Sequence, residues 1–228
     1  MGGDESAMDL IYQIALYMPV LLVSLTVHEF AHAWTAWRLK DDTAALQGRL
    51  TLDPRAHIDP IGTLLMPLLG ILFPGAPILG WAKPVPITPV RFTRKISMKT
   101  GVLITSLAGP VSNLLLTLVA LVALRITAHF WSLNELTTPG SALYPLGSII
   151  LAFISLNTIL FIFNLLPVPP LDGSKILSGI LPRRYEMILL SIEQHGFIIL
   201  IMLLMVGGRF IGMLHSLVLR LLFGLFGF

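Results

Sequence analysis

The segment His28-Glu29-Phe30-Ala31-His32 brings together side chains that can bind a metal ion and use it. Two histidines four residues apart on an α-helix are separated by only about 40° around its axis, so both imidazoles can bind one ion. Glu29 lies beside them and can accept a proton from a water molecule that the metal activates. The pattern therefore predicts a single zinc ion in each chain, with Glu29 as the catalytic base.

Catalytic zinc usually has three protein ligands, so a third ligand must come from elsewhere in the chain. Asp172 is the best candidate, because it follows the helix-breaking pair Pro169-Pro170 and precedes a glycine, beside which backbones can approach closely. The same aspartate could instead serve as the N-cap of a helix over residues 174–181. His57 is a rival third ligand and Asp59 a weaker one.

Two asparagines on apolar runs could also contribute to chemistry. The carboxamide of Asn113 could hydrogen-bond the backbone of a substrate or a developing oxyanion. It could equally join one helix to another, and the same alternatives hold for Asn164. We predict Asn113, His57 and Asn164 as candidate substrate-positioning residues.

The elements that carry these residues are membrane helices. Hydrophobic residues make up 55% of the chain and charged residues 12%, whereas soluble domains have roughly 25% charged residues. Because the apolar runs are long and continuous, they predict an all-α polytopic membrane protein with about five to six membrane helices and little β structure. The runs cover residues 8–39, 61–81, 100–130, 146–166 and 187–228, the last predicted as two helices that meet near Gly207-Gly208.

The whole chain, 1–228, is predicted to form a single membrane-embedded domain, with a core at about 8–182 and C-terminal helices at 187–228. The net charge of +3 arises mainly from short loops. There it orients the protein in a membrane, so no nucleic-acid partner is expected. The absence of cysteine excludes thiol catalysis and thiolate metal ligands.

The zinc ligands must meet at one depth, and this constrains the topology. If every apolar run between His32 and Asp172 crossed the membrane, much of a roughly 30 Å hydrocarbon core would separate them. The run at 61–81 contains three prolines and four glycines, so we predict a re-entrant hairpin at about 58–82. The basic loops then share one face, which the positive-inside rule makes cytoplasmic.

Three stretches of the chain resemble the site-2 protease family, whose members are intramembrane zinc metalloproteases. They are the His28–His32 segment in a membrane helix, Ala108-Gly109-Pro110-x-x-Asn113, and Asn164-Leu165-Leu166-Pro167-x-Pro169-Pro170-Leu171-Asp172-Gly173. Two others, at 48–63 and 80–86, look like the short bacterial branch without a PDZ domain. The similarity covers most of residues 20–180.

The resemblance implies a zinc ion held by His28, His32 and Asp172, with Glu29 as base and Asn113 helping to position substrate. The implied activity is cleavage of transmembrane segments of other proteins, in a bacterial inner membrane and near its cytoplasmic face. Leu171 departs from the family motif, which often has Asn or Pro there, so no role is carried over to it.

A peptide bond in a membrane helix is already hydrogen-bonded, so a substrate must be unwound before attack. We expect residues 48–52 or 83–88 to offer an extended edge for this, with plain loops as the alternative.

Two classes of function other than a protease are also compatible with the candidate ligands His28, His32 and Asp172. A membrane metal carrier would use them as a transit site without needing Glu29. The other class is a catalytically silent binding protein, although such relatives usually lose a ligand or the base and this chain has all of them.

Overall fold

The computed structural model describes residues 2–72, 80–185 and 191–228. These residues form helices and no strand, and four of the helices are long and apolar enough to cross a bilayer. This confirms the predicted all-α polytopic membrane protein. In chain order the α-helices are α1 (Gly2–Arg38), α2 (Thr43–Leu46), α3 (Met66–Leu72), α4 (Met98–Phe130), α5 (Leu133–Thr137), α6 (Tyr144–Leu165), α7 (Asp172–Ile180) and α8 (Gly196–Leu225), and the four long ones are α1, α4, α6 and α8.

Local signals set the ends of the long helices. The Ser97 side chain accepts a hydrogen bond from the backbone N–H of Thr100 and caps the start of α4. After α4, Ser132 and Glu135 form a capping box that starts α5. α1 ends at Arg38, and Lys40 then adopts a left-handed conformation with φ +80° that turns the chain away.

The prediction of two C-terminal helices meeting near Gly207-Gly208 is wrong, because α8 runs unbroken through both glycines. Each glycine costs a helix only about 1 kcal/mol relative to alanine. A helix break surrounded by lipid would leave backbone groups unpaired, at several kcal/mol each. Continuing the helix is therefore cheaper, and the described residues contain four spanning helices instead of five or six.

The two ends of the predicted hairpin, near residues 62 and 81, lie side by side. A π-helix over Pro60–Leu65 leads into α3, and the backbone N–H of Trp81 then donates to the Gly62 carbonyl at 3.1 Å. The Thr63 hydroxyl adds a hydrogen bond of 2.8 Å to the Trp81 carbonyl. Residues 73–79 of the predicted hairpin lie outside the described residues.

Pro67 lies in the first turn of α3, directly after the π-helix. In a π-helix, Pro67 would have to donate to the carbonyl five residues earlier, which is that of Gly62. Proline has no N–H to donate, and Trp81 satisfies that carbonyl from the returning arm. The two arms of the hairpin therefore complete each other's backbone hydrogen bonding.

Helix α4 lies at the centre of the fold and packs against α1, α6 and α7. One apolar cluster joins α4, α5, α6 and α8, and a second joins α1, α6 and the segment after the hairpin. The buried residues of the second are Leu21, Leu25, Ala82 and Leu160. Helices α1 and α7 therefore both lie against α4.

Candidate metal centre

Three buried side chains meet at a single point between α1 and the start of α7. The Nε2 atoms of His28 and His32 lie 3.1 Å apart, and each lies 3.1 Å from Oδ2 of Asp172. The three residues are 5%, 6% and 7% exposed. Among the described residues this is the one group of three or more such side chains with ligand atoms close enough to hold a metal ion.

The hydrogen bonds behind the two histidines fix their tautomers. Nδ1–H of His32 donates to the Thr105 carbonyl at 2.7 Å, and Nδ1–H of His28 donates to Oδ1 of Asn113 at 2.6 Å. With both protons on Nδ1, both Nε2 atoms turn lone pairs toward the Asp172 carboxylate. Three electron-rich atoms at this separation repel one another unless a cation lies among them.

The donor set fits zinc. Zinc is bound by imidazole nitrogen and carboxylate oxygen at about 2.0–2.1 Å, and tetrahedral bonds of that length place neighbouring ligand atoms ~3.3 Å apart. The observed triangle, with sides of 3.1 Å, is close to that separation. Three protein ligands also leave the fourth position for a reacting group, as in catalytic sites.

Asp172 reaches the histidines because α7 begins at that residue. The N-cap position is Leu171, and no side chain caps the helix, so the predicted capping role of Asp172 is not observed. Gly173 lets this turn approach the end of α6, since a Cβ at 173 would overlap the carbonyls of Leu165 and Leu166. The other carboxylate oxygen, Oδ1, lies 3.7 Å from Nζ of Lys175.

Asn113 lies behind His28 and is fully buried. Its Nδ2 donates to Oδ1 of Asn157 at 2.9 Å, and Nδ2 of Asn157 donates to the Ser24 hydroxyl at 2.9 Å. The chain of hydrogen bonds joins α1, α4 and α6 and holds the His28 ring. Both ends of the Asn113 carboxamide are thus in use, and substrate positioning by this residue stays a prediction.

Gly109 lies against the two histidines. The sequence shows it as part of a motif but does not predict this contact. A Cβ at this position would overlap Nε2 of both His28 and His32. The glycine therefore leaves space on the α4 side of the ligand triangle. Sequence alone gives no such signal, because small residues on membrane helices are usual for packing.

Glu29, the predicted base, is half-buried beside the ligand triangle on α1. Its Oε2 accepts a hydrogen bond of 2.9 Å from the backbone N–H of Val85. Val85 belongs to the stretch without regular secondary structure that follows the hairpin, here called the 80–88 segment. A backbone donor to the carboxylate carries no sequence signal, so this contact could not be predicted.

The other candidates lie apart from the triangle. His57 is buried, with Nε2 hydrogen-bonded to the Thr51 carbonyl, and Asp59 caps the π-helix through the N–H groups of residues 61 and 62. Neither is the third ligand of the group. Asn164 is half-buried and donates to the Leu160 carbonyl one turn earlier on α6. Positioning of substrate by His57 or Asn164 remains a prediction.

The fold and this site define a membrane protein with a buried group of two histidines and an aspartate that could hold a metal ion. The chain is 42% identical over 183 residues to a Bacillus subtilis (strain 168) protein named "Putative zinc metalloprotease YwhC", covering 80% of this chain and 77% of the relative. It is 34% identical over 197 residues to a correspondingly named Mycobacterium tuberculosis (strain H37Rv) protein, Rip2, covering 85% and 69%. No family model and no solved structure matches the chain significantly.

These identities extend over more than two thirds of both relatives. The chain therefore belongs to the family of zinc metalloproteases that contains YwhC and Rip2.

Proposed function

We propose that this protein is an intramembrane zinc endopeptidase of the site-2 type, which cleaves transmembrane segments of other proteins. The observation that carries the proposal is the buried triangle of His28, His32 and Asp172, with a carboxylate, Glu29, beside it. Its elements are apolar helices long enough to span a membrane. Membership of a zinc metalloprotease family supports the same conclusion.

The residues present can divide the work of hydrolysis among them. His28, His32 and Asp172 would hold zinc, which when bound polarises a scissile carbonyl and makes a nearby water more acidic. Glu29 accepts a proton from that water while the water oxygen bonds to the carbonyl carbon. It then returns the proton to the amine nitrogen as the C–N bond breaks.

The substrate must be unwound and brought to this site, and two features support a membrane segment as substrate. An apolar cavity of about 360 Å³ lies between α1, α3, α6 and α8 and includes Gly80 in its lining. Beyond Gly80, the 80–88 segment has no regular secondary structure, and Pro84 and Pro86 favour extended backbone there. We propose this segment as the edge beside which the substrate unwinds.

Metal removal separates the proposed protease from the metal carrier. Purified protein in detergent should contain about one zinc ion per chain and should cleave a model transmembrane substrate. Chelation should stop cleavage, and added zinc should restore it. Zinc transport into vesicles without cleavage of any transmembrane substrate would favour the carrier, whereas zinc binding with neither activity would favour a silent binding protein.

We further propose that the active site faces the cytoplasmic side of a bacterial inner membrane. Because the chain has no cysteine, single cysteines report position without background. Val90 and Ala142 are both exposed, so each can be replaced by cysteine. Val90 lies in the connection between the hairpin and α4, and Ala142 lies in the α5–α6 loop. A membrane-impermeant maleimide added to intact cells should label residue 142 and should label residue 90 only after permeabilisation. Labelling of residue 90 in intact cells would contradict this orientation.

A further inference from the structure

The 80–88 segment is fixed at both ends by polar groups. The backbone N–H of Lys83 donates to the His57 carbonyl at 2.9 Å, and the Lys83 carbonyl accepts from the guanidinium of Arg49. Both partners are buried, with Arg49 6% and His57 2% exposed. At the other end, the N–H of Thr88 donates to the fully buried carboxylate of Asp41 at 2.6 Å. The backbone between these ends is therefore held in place.

Val85 lies in the middle of this fixed stretch, between Pro84 and Pro86. Neither proline has a backbone N–H, and both rings restrict the backbone to extended conformations. The N–H of Val85 is thus the sole backbone donor of these three residues, and it is directed at Oε2 of Glu29. A rigid, isolated donor aimed at one oxygen of the proposed base is what a positioning group requires.

The hydrogen bond leaves the two oxygens of Glu29 with different tasks. A glutamate side chain has three torsions, the last of them broad, so an unanchored carboxylate at a half-buried position would rotate. A hydrogen bond to an ionised oxygen is of the stronger kind and would hold Oε2. Oε1 then remains to accept and return the proton.

We propose that the backbone N–H of Val85 positions Glu29 for proton transfer. The inference rests on the proposed protease function. Oε1 takes the proton released when water attacks the carbonyl carbon and gives it to the departing amine nitrogen, while Oε2 stays bonded to Val85 throughout. The carboxylate therefore need not reorient between the two transfers, which lowers the entropy cost of the second.

The sharpest test replaces the Val85 residue by its α-hydroxy analogue, which turns one amide into an ester. This change removes the N–H and keeps the side chain and the extended backbone. Cleavage of the transmembrane substrate is expected to show a kcat lower by roughly tenfold to a hundredfold, with KM and bound zinc unchanged. Val85→Pro, which also removes the N–H, should lower kcat in the same way.

Val90→Ala is the control, because it shortens a valine side chain that is 76% exposed and lies outside the 80–88 segment, and its kcat should stay within about twofold of wild type. An ester variant with wild-type kcat would overturn the inference. So would a raised KM at unchanged kcat, which would mean that the segment acts on substrate, or a loss of zinc. If the wild type cleaves no transmembrane substrate, the proposed function itself fails; wild-type cleavage with an unaffected ester variant removes the positioning role alone.

Discussion

Glu29→Gln is expected to lower the rate of cleavage by about a hundredfold to ten-thousandfold while zinc stays bound, which is the usual contribution of a general base. Glutamine has the same shape as glutamate, and its amide oxygen can still accept from the Val85 N–H. The amide cannot accept the proton that water must lose. The change leaves the proposed metal ligands, His28, His32 and Asp172, as they are. Zinc content and single-turnover cleavage of one transmembrane substrate, measured side by side, check both halves of this prediction.

The chain offers a control with the same chemical change at an exposed position. Glu135 closes the capping box of α5, and glutamine serves at that position as well as glutamate. Glu135→Gln should therefore cleave at the wild-type rate. Undiminished cleavage by Glu29→Gln would remove Glu29 as the base, and a loss of zinc from it would show that Glu29 supports the metal instead.

Gly109→Ala is expected to reduce zinc affinity by at least about a hundredfold, the upper end of what losing an outer-shell partner costs. The added methyl group would overlap Nε2 of both histidines, and so must displace at least one ligand. Cleavage should fall in parallel with bound zinc. Zinc titration of the metal-free protein measures the affinity directly, and its thermal unfolding shows whether the helices still assemble.

Gly224→Ala in α8 makes the same change where the new methyl group meets nothing within 4 Å. It should bind zinc like the wild type and, since alanine favours helix by about 1 kcal/mol, should be no less stable. A Gly109→Ala variant that keeps full zinc affinity would show that the ion does not bind between the two histidines.

Spacing alone predicted the pair His28 and His32, because a four-residue interval on a helix has a fixed geometry. The proline-rich turn before Asp172 marked this residue as the candidate third ligand. The structure places its carboxylate beside both histidines, although 140 positions separate it from His32 in the sequence. The long helices followed from continuous apolar runs. The spacing of two residues on a helix and the hydropathy of a run are local properties, so the sequence predicts them directly.

The contacts that sequence did not predict depend on tertiary packing. The Val85 N–H and the Thr105 carbonyl are backbone groups that every residue type carries, so no pattern marks them. An asparagine such as Asn113 suits both a substrate contact and a helix contact, and its actual partners, His28 and Asn157, lie on α1 and α6. Helix α8 continues through Gly207 and Gly208 because unpaired backbone groups at a helix break in lipid would cost more free energy than two glycines in a helix.

The separation of the ligands along the chain also sets when the centre can form during synthesis. Ribosomes add about 5–20 residues per second, so Asp172 follows His32, 140 residues earlier, by roughly 7 to 30 seconds. In that interval the nascent chain has inserted two histidines but lacks their carboxylate partner. The group of three side chains can therefore be complete only after α6, which precedes Asp172 in the chain, has been synthesised.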